Sequence, residues 1–157
     1  MKTVAILLLA ATFAFASPTA SDPQGFELWT AAQLGALQSK LAASVNAQKF
    51  ANQGLGTFGN HSFMVAHREG TGAAELHETQ NDVFFVQSGQ ATLVVGGTLV
   101  EPNTVAPHEI RGPSISGGTQ KALGAGDVVH IPAGIPHQLL VDPGKQFTYF
   151  VVKIDAQ

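Results

Sequence analysis

From His61 onward the chain runs in short apolar stretches of period two, each closed within a few residues by Gly, Pro, Asn or Asp. Alternation puts successive side chains on opposite faces of an extended strand, and turn residues this frequent interrupt helices of ordinary length. The pattern predicts strands at about 61–68, 73–77, 82–88, 91–95, 127–131 and 146–154, an all-β arrangement. The 17 glycines and 8 prolines match the number of turns this requires. Residues 96–126 include "PNTVAPHEIRGPSISGGTQKALGAG", too polar and too broken for a hydrophobic strand. That stretch is expected to be an elaborated loop with one short edge strand at most, flanking a site.

Ahead of the strands the character changes. Lys2, an apolar run and Ala14-Phe15-Ala16 form the pattern of a secretory signal peptide over residues 1–16, which predicts a secreted or periplasmic protein. The run is shorter than the ~20 residues that span a bilayer, so no membrane attachment is expected after cleavage. Residues 17–60 read as an irregular lead-in and a helix. Thr30 and Gln33 have capping-box spacing, Trp29 and Leu34 the spacing of a hydrophobic staple, and Leu34, Leu37, Leu41 and Val45 make one apolar stripe. Such a helix is expected to pack outside a sheet. Gln53 to Asn60, "QGLGTFGN", reads as a glycine-rich connector into a β-barrel domain over residues 61–157. A formal charge of −3 offers no basic surface for nucleic acid, and the absence of cysteine excludes disulfides and thiol catalysis.

The chemistry concentrates in "AELHETQNDVFFVQSGQ" and "GAGDVVHIPAGIPHQLL". On a strand Glu75 and His77 share a face, and His137 follows a turn that two prolines and a glycine hold in place. A carboxylate and two imidazoles suit one borderline divalent ion, and Fe, Mn, Zn and Ni all accept these donors. Glu75 could equally move a proton as a catalytic base. Phe84 and Val86 share the parity of Asp82 and are expected to form an apolar wall. His130 and His67 read as strand histidines with structural roles, and Arg111 as a solvated loop arginine.

These residues resemble the cupins. Gly126, Pro132, Gly134 and His137 match the family's second motif, with Val141 where an asparagine often stands. The first motif is degenerate: Glu75-Leu76-His77 replaces a histidine pair, Asp82 replaces a glutamate, Gly89 closes the motif, and Glu69 takes the place of the opening glycine beside Gly70. The resemblance covers about residues 63–152. It implies a cupin-type double-stranded β-helix, a jelly-roll-like barrel with the N-terminal helix packed outside and the site in its mouth. It adds Asp82 to the metal set of Glu75, His77 and His137, either as a ligand or as a group that orients His77. It also implies a small-molecule substrate or ligand and allows two barrels to pair as a homodimer. Two functions follow: a metal-dependent lyase, isomerase or dioxygenase acting on a small oxygen-containing molecule, or a non-catalytic cupin that binds a sugar or small acid.

Overall fold

The computed structural model describes residues 21–156, so the expected signal peptide lies outside the described residues. In chain order its elements are α1 (Ala31–Ala42), β1 (Phe50–Phe58), β2 (His61–Arg68), β3 (Ala74–His77), β4 (Gln80–Val95), β5 (Thr98–Val100), β6 (Asn103–Ala106), β7 (Glu109–Gly112), β8 (Ser114–Ser116), β9 (Thr119–Gly124), β10 (Val128–Ile131), β11 (His137–Leu140) and β12 (Phe147–Asp155). The alternation read in the sequence locates β2, β3, β10 and β12 to within about a residue.

Three stretches differ from expectation. The glycine-rich connector at 53–60 belongs to β1, which pairs antiparallel with β2 from Phe50↔Arg68 to Phe58↔His61 through a bulge at Gly54/Gly56. Ladder hydrogen bonds come from the backbone, so an edge strand needs no apolar alternation. The expected loop at 96–126 is built of β5 to β9, and it escaped notice because β6 is exposed along its whole length and β9 along most of it. Third, the runs at 82–88 and 91–95 are two halves of a single bent strand.

That strand, β4, joins the two layers. Its first half pairs with β12 and β10, and its second half with β9 and β11. The corner is Gly89, at φ 81°. A Cβ there would run into the Gln146 carbonyl, so a side chain is excluded by both sterics and backbone conformation. The closing glycine of the first motif is thus the hinge that carries β4 from one sheet to the other.

Between the layers lies a core that includes Phe84, Val86, Leu93, Leu139, Phe147 and Val151. Each fully buried side chain of this kind contributes about 1.5–3 kcal/mol. Outside the sheet, α1 covers a second cluster: Leu41, Ala51 and Val65 are buried, with Leu34, Leu37 and Val45 packed on them. The capping box forms, with Thr30 Oγ1 accepting the Gln33 N–H at 3.3 Å and Gln33 Oε1 accepting the Thr30 N–H at 2.8 Å. Trp29 packs on Phe58, Phe63 and Phe150 at centroid distances of 6.5, 5.1 and 5.9 Å. Strand parity then divides the faces. Val65 and Phe150 look toward α1, while Met64, Ala66 and Arg68 on β2 and Tyr149, Val151 and Lys153 on β12 line an interior cavity.

Candidate metal centre

Three cross-strand registers assemble the polar groups. His137 on β11 stands opposite Glu75 on β3, His77 on β3 opposite Glu109 on β7, and Lys153 on β12 opposite Asp82 on β4. Glu75, His77 and His137 each offer one donor atom, all within 4.8 Å of one another. His77 Nε2 lies 3.8 Å from Glu75 Oε2 and 3.3 Å from Asp82 Oδ2. Donors sharing an ion at about 2.0–2.2 Å stand roughly 3–4 Å apart, so this spacing fits a divalent ion.

The histidines are oriented for that role. His77 Nδ1 is 2.7 Å from Glu109 Oε1, and His137 Nδ1 is 3.2 Å from the Ile135 carbonyl oxygen. Donation from Nδ1 leaves the Nε2 lone pairs facing inward, as a metal-bound imidazole requires. His137 Nε2 is buried with no hydrogen-bond partner among the described residues. A buried polar atom left in this way costs about 1–3 kcal/mol, a cost that coordination removes. The donor set therefore fits a borderline divalent ion.

Asp82 reaches the centre despite its short side chain. Its Oδ2 is 3.6 Å from His137 Nε2, and its Oδ1 accepts from Lys153 Nζ at 2.9 Å. Lys153 is the group the sequence analysis missed: its Nζ also lies 3.0 Å from His77 Nε2. The signal was present in β12, where Phe147, Tyr149, Val151 and Lys153 share one parity and the last puts a charge on an otherwise apolar inner face. Glu109 lies in the stretch expected to be loop, where the structure has β7. Arg111, expected in solvent, is half-exposed on β7 with Nη2 3.3 Å from Glu75 Oε1.

The remaining histidines stand apart. His130 is exposed on β10, and His67 is fully buried with Nδ1 2.8 Å from Thr148 Oγ1, a structural pairing. Phe84 lines the cavity and Val86 is core, the expected apolar wall. The cavity measures about 690 Å³ and includes residues of the 96–126 segment, Val105, Ala106, Glu109 and Arg111, in its rim.

The electrostatics follow from burial and partners. Burial pushes the Asp82 carboxyl up, but the His137 and His77 imidazoles, 3.6 and 3.3 Å away, and the Lys153 ammonium at 2.9 Å hold it far below the usual carboxylate range, so it is ionised. For His77, burial pushes the pKa down; the Asp82 hydrogen bond raises it, Lys153 opposes, and the charges of Asp82 and Glu109 bring the net value above 6.5. An ion needs the unprotonated ring, so a raised pKa moves proton competition to higher pH. Affinity for a divalent ion is expected to fall as pH is lowered from about 8 to about 6. Competition titrations against a chelator of known pH behaviour check this; a flat profile contradicts the role of His77 as ligand.

No family model and no curated protein matches the sequence. Solved structures do match in fold. A conserved protein with a double-stranded β-helix domain from Klebsiella pneumoniae is 18% identical with TM-score 0.52, over 71% of this chain and 82% of that one. KdgF from Halomonas sp. is 12% identical with TM-score 0.51, over 73% and 86%. A recombinant oxalate oxidase in complex with glycolate is 14% identical with TM-score 0.51, over 70% and 53%. At these identities the likeness establishes the fold, which is the double-stranded β-helix of the cupins.

Proposed function

We propose that this cupin-fold chain is exported and holds one divalent ion on Glu75, His77 and His137, acting there on a small oxygen-containing organic molecule by lyase, isomerase or dioxygenase chemistry. The observation that carries the proposal is the inward-facing Nε2 of His137, buried and unpartnered beside the Nε2 of His77 and the Glu75 carboxylate. The bound ion would supply a Lewis acid for a carbonyl or carboxylate oxygen. The chain supplies the rest. Glu109 and the Ile135 carbonyl fix the imidazole tautomers, Asp82 carries a constant negative charge, and the wall around Phe84 and Val151 keeps water from one side of the cavity. Glu75, partly exposed, is held by Arg111 through Oε1, and its Oε2, 3.8 Å from His77 Nε2, would either bind the ion or accept a proton. Export rests on Lys2 and the Ala14-Phe15-Ala16 pattern.

One observation favours a second reading, a cupin that binds a small molecule without an ion: the Lys153 ammonium already sits on His77 Nε2 and Asp82. Elemental analysis of protein purified without chelator separates the two. The first reading expects one equivalent of Fe, Mn, Zn or Ni, and Glu75→Gln is expected to lower turnover more than ligand binding if Glu75 is the base, or metal content if it is a ligand. No stoichiometric ion after supplementation with each of the four leaves the second.

A further inference from the structure

At the end of the cavity away from Lys153, β2 places a second cation whose partner is missing. Arg68 is 9% exposed, yet no carboxylate lies within ion-pairing distance of it among the described residues. Its Nε donates to Tyr149 Oη at 3.1 Å, and its guanidinium lies 4.4 Å over the Phe50 ring. A cation–π contact returns only part of what burying an unpaired ion costs. The chain therefore keeps at this position a charge that its own contacts do not neutralise.

The packing holds that charge ready. Gly72 lies so close that a Cβ there would strike the Arg68 guanidinium, so the group is confined between the Gly72 backbone, Phe50 and Tyr149. Arg68 lines the cavity, and its terminal nitrogens take no hydrogen-bond partner from the described residues. Tyr149 Oη receives the Nε hydrogen bond, which leaves its own O–H as a donor; burial raises its pKa, so that proton stays on. Two terminal N–H groups in a planar fork with a hydroxyl beside them match the two oxygens of a carboxylate.

Direction along the barrel completes the case. Arg68 pairs with Phe147, and Lys153 lies six positions further along the same strand. At about 3.3 Å per residue those backbone positions are roughly 20 Å apart, and Arg68 and Lys153 both line the same cavity. Met64, Ala66, Phe84 and Val151 line the cavity with apolar groups. We propose that Arg68 and Tyr149 form a carboxylate-binding site that anchors an organic acid with an apolar body of several carbons, directing its other end toward Glu75 and His77. This names the class of molecule for the site proposed above and rests on that reading only for what happens at the far end.

The test uses chelator-dialysed full-length chain, so its outcome does not depend on any ion. Hexanoate, hexanamide, acetate and inorganic phosphate are titrated by NMR against wild type, Arg68→Met and Arg68→Lys. Hexanoate is expected to bind wild type at least tenfold more tightly than hexanamide or acetate. Arg68→Met is expected to abolish that preference while its Tm stays level or rises, because an uncompensated buried charge has been removed; a purely structural arginine would lower Tm instead. Arg68→Lys, which keeps charge and loses the fork, is expected to weaken hexanoate about tenfold. Because the dialysed chain carries no ion, failure of the metal reading leaves this result standing. The proposal is overturned if wild type does not distinguish hexanoate from hexanamide, if Arg68→Met binds hexanoate as wild type does, or if phosphate binds more tightly than hexanoate.

Discussion

Replacing His77 or His137 by alanine is expected to reduce affinity for the divalent ion by well over 100-fold while the β-sheet circular-dichroism spectrum is retained. Each ring supplies an Nε2 lone pair turned inward by a bond at Nδ1, so alanine removes one of the three donors outright. The orienting groups provide the internal comparison. Glu109→Gln leaves the donors in place and loosens only the tautomer and aim of His77, which lowers metal affinity by about 10–100-fold. Asp82→Asn belongs with this milder class if its carboxylate serves the histidines, and with the severe class if it binds the ion. Isothermal titration with Zn, Mn and Ni reads all four variants. Equal losses for His77→Ala and Glu109→Gln would place the donors elsewhere.

Lys153→Met is expected to act in two opposite directions. The Asp82 carboxylate is 3% exposed, and Lys153 Nζ at 2.9 Å is the one fixed cation beside it among the described residues. Removing one partner of a buried pair leaves an uncompensated charge, so the metal-free variant should lose about 3 kcal/mol of stability. In the presence of an ion the sign reverses. The ammonium and a metal compete for the lone pairs of His77 and Asp82, and deleting the ammonium also makes the site more negative by one charge. Metal affinity should rise about tenfold or more, which adds ~1.4 kcal/mol or more of binding free energy. Denaturant curves with chelator and with saturating ion, taken on wild type and variant, give both quantities. A variant that is stable without metal and binds it no more tightly would show that Lys153 is a bystander.

The parts of this site that could be read in advance are those fixed within a strand. Glu75 and His77 converge because they are two residues apart on β3, and Phe84 lies on the cavity wall because it shares the parity of Asp82. The same rule would have exposed Lys153 and Arg68 had it been applied to charged residues at strand ends. Met64 and Ala66 lead to Arg68 on the inner face of β2, as Tyr149 and Val151 lead to Lys153 on β12. Glu109 and Arg111 were not legible in that way. Their strand is four residues long, polar and flanked by turns, and its pairing with β3 and β6 makes it a strand.

By itself, then, the sequence determined which residues alternate and where the helix is capped, since these depend on neighbours along the chain, whereas the need for glycine at position 89 comes from the close approach of the Gln146 carbonyl. The tertiary structure alone decided which strands are adjacent and in what register. His77 meets Glu109 across 32 positions and Lys153 across 76. Such contacts follow from how two curled sheets bury their shared core, and a shift of one residue in any of these pairings would turn the lysine, the glutamate or the arginine away from the cavity.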